Sequence, residues 1–142
     1  MAVVARVGTV TLDCADPKAL ASFYQAVTGV EREYDGDEAV ALAPSRPGGI
    51  NLCFQRVAGY RPPCWPDASA PQQFHLDLYA ADPVAAEARM IELGATRAQH
   101  QPGEGRWTVL LDPAGHPFCL AADPEPADLE PAGPEPPGHC PR

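Results

Sequence analysis

Lysine is almost missing from this sequence: Lys18 stands alone, and the nine arginines are scattered along the chain. Gripping nucleic-acid phosphates takes clustered cations, and the net charge is −9, so no nucleic-acid partner is expected. No run of about eighteen apolar residues occurs, which leaves no candidate for a membrane-spanning helix. The first residues, Met1 to Arg6, lack the basic start and apolar stretch of a secretory signal. The expectation is a soluble, cytoplasmic protein without a membrane partner. Paired Cys-x-x-Cys spacing is also missing. The five cysteines, Cys14, Cys53, Cys64, Cys119 and Cys140, fit neither a disulfide framework nor a zinc ribbon. Cys14 and Cys53 fall in expected strands, where a free cysteine reads as a small buried hydrophobe.

What is present is organised around Gln73 to Gly94. Phe74, Leu76 and Leu78 alternate with His75, Asp77 and Tyr79, the period-two pattern of a half-buried strand. Asp82-Pro83 reads as an N-cap followed by proline at the first helical position. Val84, Ala88, Ile91 and Leu93 then recur at helical spacing, and Gly94 is placed to close the helix. The same phrase occurs earlier, with a strand ending at Cys14, the cap Asp16-Pro17, apolar Leu20, Phe23, Tyr24 and Val27, and the stop Gly29. Asp13 maps to Asp77 at an offset of 64, Asp16 to Asp82 at 66 and Gly29 to Gly94 at 65. Three ordered landmarks at nearly one offset indicate an internal duplication.

The first copy continues with strands over Glu31–Tyr34, Ala39–Ala43 and Ile50–Val57, parted by the turn Asp35-Gly36-Asp37 and the loop 44–49. The second continues with Thr96–His100, Arg106–Leu111 and Pro117–Ala122, the last two joined by the turn Asp112-Pro-Ala-Gly115. Each copy is β-α-β-β-β, over residues 6–57 and 73–122. The fold class is therefore α+β, with two βαβββ modules forming a cupped mixed sheet, helices outside, in one domain of residues 1–122. The connector 58–72 carries Pro62, Pro63, Pro66 and Pro71, too many for helix or central strand. It also carries Tyr60 and Trp65, aromatics a linker keeps when they pack on the body or over a pocket mouth. From Asp123 on, seven of twenty residues are proline among acidic neighbours, which reads as a disordered tail over 123–142.

Leu12-Asp-Cys-Ala-Asp-Pro17, Ser22-Phe-Tyr24, His75-Leu-Asp-Leu78, Leu93-Gly-Ala95 and Asp112-Pro-Ala-Gly-His-Pro-Phe-Cys-Leu120 resemble the vicinal oxygen chelate superfamily. Within it they resemble the glyoxalase-like, bleomycin-resistance-like branch, with extradiol dioxygenases as further relatives. The resemblance covers about residues 6–122. It implies a sheet cup, and in the metal-dependent members each module supplies two ligands to a divalent ion from its first and last strands. The matching positions here are Thr9, Asn51, His75 and Cys119. Only His75 is a typical ligand of such a site, since octahedral ions want carboxylate, imidazole and carbonyl donors. No metal and no other cofactor is therefore expected, and the glyoxalase I reaction, which needs that Lewis acid, is not either.

The cup remains as a small-molecule pocket. Thr9, Thr11 and Asp13 share one face of their strand, as do Asn51, Cys53 and Gln55, and as do His75, Asp77 and Tyr79. Thr9, Asn51, His75, Asp77, Trp107 and Cys119 are the expected ligand-binding residues, with Tyr60 and Trp65 as further stacking aromatics. A mostly apolar site with a few placed polar groups suits an organic ligand. The first reading is sequestration of a natural product or drug without turnover. The rival is a lyase or isomerase with His75 as catalytic base, tuned by Asp77, or a divergent metal-dependent enzyme in which His75 and Cys119 hold an atypical ion. A third places function in partner docking by the tail. His116, between Gly115 and Pro117, reads as a turn residue, and His100 and His139 as exposed ones. A homodimer is expected, because an open sheet edge favours pairing.

Overall fold

A computed structural model describes residues 7–124 of the chain. Its elements run β1 (Thr9–Cys14), α1 (Pro17–Thr28), β2 (Arg32–Asp35), β3 (Ala39–Leu42), β4 (Asn51–Arg56), β5 (Leu76–Ala80), α2 (Pro83–Glu92), β6 (Thr96–Arg97), β7 (Trp107–Leu111) and β8 (Pro117–Ala122). The class is α+β with two βαβββ modules, as the sequence pattern indicates. The strands form two four-stranded sheets, in order β1-β4-β3-β2 and β5-β8-β7-β6. In each, the first and last strands of the module pair in parallel, and the remaining pairs are antiparallel.

Both helices start as the sequence dictates. Asp16 accepts hydrogen bonds from the backbone N–H of Lys18 and Ala19, each at 3.1 Å. Asp82 does the same for Val84 and Ala85, also at 3.1 Å. These bonds satisfy donors that the first turn of a helix leaves open. Gly29 takes φ +73° and donates to Gln25 O at 2.8 Å, a left-handed stop that other residues adopt at a cost. Among the described residues no helix is long and apolar enough to cross a membrane.

The ladders refine the duplication. Thr11 lies opposite Cys53 in the first sheet, and Asp77 opposite Cys119 in the second. The offset of 66 that relates the two N-caps superimposes these pairs. The counterpart of Asp77 is therefore Thr11, and that of Asp13 is Tyr79, which corrects the pairing of Asp13 with Asp77. Asp13 simply stands closer to its cap than Asp77 does. Two strand ends also differ from expectation. β5 begins at Leu76, beside Phe118, because the next position down the ladder is Pro117, which has no N–H to give. β6 stops at Arg97 because Gln101 takes over the strand's role. Its side chain accepts from Val109 N at 2.9 Å and donates at 2.8 Å to Val109 O, which also accepts from Ala98 N at 3.1 Å, so the amide takes over half of the next rung.

One core joins both modules: Leu12, Leu20, Tyr24 and Phe54 from the first pack in the same cluster as Leu110, Phe118 and Leu120 from the second. Tyr24 stacks on Phe54 at 5.3 Å, and Phe23 reaches Phe118 at 6.1 Å. At the centre is a polar group, Asp112, 3 % exposed. Its carboxylate accepts from Tyr24 Oη (2.8 Å), Ala114 N (2.9 Å), His116 N (3.0 Å) and His116 Nδ1 (2.8 Å). The Tyr60 hydroxyl extends the network, donating to Ala114 O at 2.9 Å and lying 3.1 Å from His116 Nε2. His116 is thus in the turn, as expected, but tied to a buried carboxylate. The expected tail lies outside the described residues beyond Pro124.

Two outcomes follow for stability. Asp112→Ala leaves four donors without their acceptor and should cost about 3–5 kcal/mol in denaturant unfolding, against about 1–3 kcal/mol for Tyr24→Phe. Burial, then the Asp112 charge, pushes the Tyr60 hydroxyl up to about 12, and Tyr24 is raised by burial, the same charge and its hydrogen bond. A folded-state value above the unfolded one, near 10 for a tyrosine, gives stability that is full below about pH 10. That stability drains away as pH rises toward 12. Melting curves from pH 9 to 12 should show a shallower fall for Tyr60→Phe than for the parent chain; an equal fall would contradict the assignment.

Candidate functional site

In β5, alternation sends Leu76 and Leu78 toward the core, while Asp77 and Tyr79 stay exposed on the open face of the second sheet. His75, one residue before the strand, is on that open side. β8 runs beside β5 and presents Cys119 directly opposite Asp77. β7 follows β8 and contributes Trp107 and Val109 to the same face. These residues line a cavity of about 440 Å³. Pro102 and the connector supply further wall: Trp65 packs with its ring centroid 5.3 Å from that of His100 and closes one side, and Gln72 closes another.

Trp107 is held from two directions. The Arg106 guanidinium lies 4.8 Å from the ring centroid, within the range of a cation–π contact. Gly103 packs so closely beneath Trp107 that a Cβ there would collide with the tryptophan's own carbonyl oxygen. A fixed indole makes a wall on which a flat molecule stacks at little entropic cost.

Three of the polar groups are neighbours. His75 Nε2 is 3.5 Å from Asp77 Oδ1, with both side chains about half exposed. One donor atom each from His75, Asp77 and Cys119 lies within 4.8 Å of the other two. Cys119's thiol is pushed up, first by burial and then by the Asp77 charge and a hydrogen bond to it. At neutral pH Cys119 is therefore a protonated thiol, not a nucleophilic thiolate.

Of the residues expected to bind ligand, His75, Asp77, Trp107 and Cys119 meet in this cavity, and Thr9 and Asn51 do not line it. Those two sit side by side at the start of the first sheet. The Asn51 amide is committed, donating to Glu33 Oε2 at 2.7 Å and to Leu42 O at 3.0 Å. The four positions that the resemblance matches to metal ligands thus offer a threonine hydroxyl, an engaged amide, an imidazole and a thiol. That set does not fit a hard octahedral ion. Gln72 was not visible as a site residue, because nothing local in a proline-rich connector says which of its side chains turns inward. Tyr60 lies in a different cavity.

The sequence over residues 9–121 matches the model of a family described as a glyoxalase-like domain. No curated protein matches it. Among solved structures, a glyoxalase-related enzyme from Fulvimarina pelagi is 21% identical, with 84% of this chain and 88% of that one covered at a TM-score of 0.60. A glyoxalase/bleomycin resistance protein/dioxygenase family enzyme from Burkholderia phytofirmans PsJN is 19% identical, covering 82% and 97% at 0.63. The bleomycin-binding protein of bleomycin-producing Streptomyces verticillus, solved with copper(II)-bleomycin, is 18% identical, covering 86% and 99% at 0.53. At these identities the likeness is one of fold.

The cluster makes a chemical prediction. Asp77→Asn removes the charge that helps hold Cys119 protonated, so more thiolate forms at a given pH. Iodoacetamide at pH 8, followed by mass spectrometry of the Cys119 peptide, should show faster alkylation in the variant than in the parent. Equal rates would mean that Asp77 does not act on Cys119.

Proposed function

The chain belongs to the glyoxalase-like domain family, and we propose that it binds a small organic molecule on the open face of its second sheet without the divalent metal used by other members. One observation carries this reading: the only two tryptophans of the sequence, Trp65 and Trp107, face the same cavity, beside His75, Asp77 and Cys119. Two indoles and a half-exposed imidazole–carboxylate pair suit a planar molecule with a few polar substituents. The mismatch of the four family positions to a hard ion argues in the same direction. Sequestration is the version favoured here, since the cavity is walled by two indoles that hold a flat molecule by stacking. The copper(II)-bleomycin complex of the Streptomyces verticillus protein gives this fold a precedent for ligand binding. Pairing with a second copy across an exposed sheet edge is part of the proposal.

The rival is an enzyme with His75 as general base, which the 3.5 Å approach of Asp77 favours. Because both tryptophans line the cavity, their emission reports occupancy directly. Titration with a library of planar natural products and drugs should give saturable quenching. In Trp107→Ala the affinity for a hit should fall about tenfold, or ~1.4 kcal/mol, and the hit should be recovered unchanged. Conversion of the hit, abolished by His75→Ala, would replace binding with catalysis. Quenching that survives Trp107→Ala at full affinity would move the site elsewhere.

A further inference from the structure

We infer that the tryptophan cavity is one lobe of a two-lobed site, whose ligand is an uncharged molecule of two aromatic rings joined by a short polar linker. The inference rests on the function proposed above and names the ligand class for that same site. A second cavity of about 350 Å³ adjoins the first, of about 440 Å³, and Gln72 and His75 line both. Each volume alone stands at the small end of the range for organic ligands; together they take a molecule about twice as large. The segment 72–75, which belongs to no helix or strand, runs between the two lobes. Its two shared side chains behave differently. Gln72 has its Oε1 fully enclosed, so it is packed in place as a fixed flank. His75 is about half exposed, lies one position outside the β5 ladder and approaches only Asp77, at 3.5 Å. A half-exposed imidazole does not seal one lobe from the other. It is a low divide that a ligand crosses, and its ring nitrogens meet a polar group in the part that crosses.

The walls of the second lobe set the chemistry of the second ring. Tyr60, Pro62, Pro63 and Phe74 make its apolar side. Prolines have little freedom, so this side is rigid. The core holds it in place: Tyr60 donates to Ala114 O, and a Cβ at Gly115 would collide with Pro62. A rigid apolar wall with two aromatic rings suits an aromatic group, as the indoles do in the first lobe. The polar side combines Thr11 and Asp13 from β1 with Arg61 and Gln73. These offer donors and acceptors alike, and one charge of each sign, so the lobe takes hydroxyl-like substituents and asks for no net charge on the ligand.

The test uses a linker series on the full chain: bis(4-hydroxyphenoxy)alkanes with two to six methylenes, and 4-methoxyphenol as the one-ring fragment. Joining two rings makes the second contact intramolecular, so affinity rises sharply when the linker matches the span. Tryptophan quenching and calorimetry should show at least a tenfold gain over the fragment at one linker length, falling off on either side. Trp107→Ala and Phe74→Ser should each weaken the best bis-phenol at least tenfold. Phe74 is half exposed and outside the core cluster, so Phe74→Ser should melt close to the parent chain. Isotope-filtered NMR should show one bound bis-phenol with contacts to both the Trp107 indole and the Phe74 ring. Saturable binding of the fragment, with no bis-phenol exceeding it and Phe74→Ser without effect, overturns the two-lobed site and leaves the tryptophan cavity standing. Failure of fragment and bis-phenols alike at millimolar concentration, or full affinity in Trp107→Ala, overturns both.

Discussion

The buried carboxylate of Asp112 is the constraint on which the rest of this structure depends. A carboxylate taken out of water costs several kcal/mol unless its oxygens are met by donors. Here four donors meet it, from α1, from the turn between β7 and β8, and from the His116 imidazole. Tyr24 belongs to the first module and Asp112 to the second, so satisfying one charge fixes the modules against each other. Apolar packing of Phe23 and Tyr24 on Phe54 and Phe118 adds area. The area would tolerate sliding; the hydrogen bonds do not, because they work only in one register.

The same network positions the functional surface. Tyr60 rides on His116 and Ala114, which anchors the start of the connector. From that anchor the connector carries Trp65 to the tryptophan cavity and Gln72 to the boundary of both cavities. The second sheet alone would be an open face with His75, Asp77 and Cys119 on it. The connector turns that face into a walled cavity. A segment with four prolines in fifteen residues suits the task, since little freedom remains to be lost on ordering it.

What the sequence made legible was local. The caps Asp16-Pro17 and Asp82-Pro83, the stop at Gly29 and the alternation at Leu76–Tyr79 each act within a few residues, and each stands where the pattern put it. The duplication was legible for the same reason. Its exact register was not, because ladder pairing is a long-range fact; the link between Asp77 and Thr11 appears only when both ladders are laid over each other. Four of six expected site residues meet because β5, β7 and β8 are neighbours in one sheet. Thr9 and Asn51 belong to the other sheet, and the Glu33 carboxylate that claims the Asn51 amide had no signature in sequence. Asp112 read as a turn residue, which it is. Its side-chain bond to Ala114 N is the common local use of such an aspartate. Its bond to Tyr24 spans most of the chain and no local rule predicts it.

Family membership and chemistry pull in different directions at this site. The resemblance implies a divalent ion in the sheet cup of the metal-dependent members, while this chain keeps one good ligand of the four matching positions and places His75, Asp77 and Cys119 together on a single sheet. In the function proposed above, the open face serves an organic molecule, not an ion. The most direct measurement is elemental analysis of the purified, tag-free protein, followed by addition of Ni, Mn, Fe, Zn and Mg and thermal melting. Metal far below one ion per chain, with no ion shifting the melt, is the predicted result. Metal near one per chain, or a melt raised several degrees by a single ion, would contradict it and assign the three clustered side chains to a metal centre.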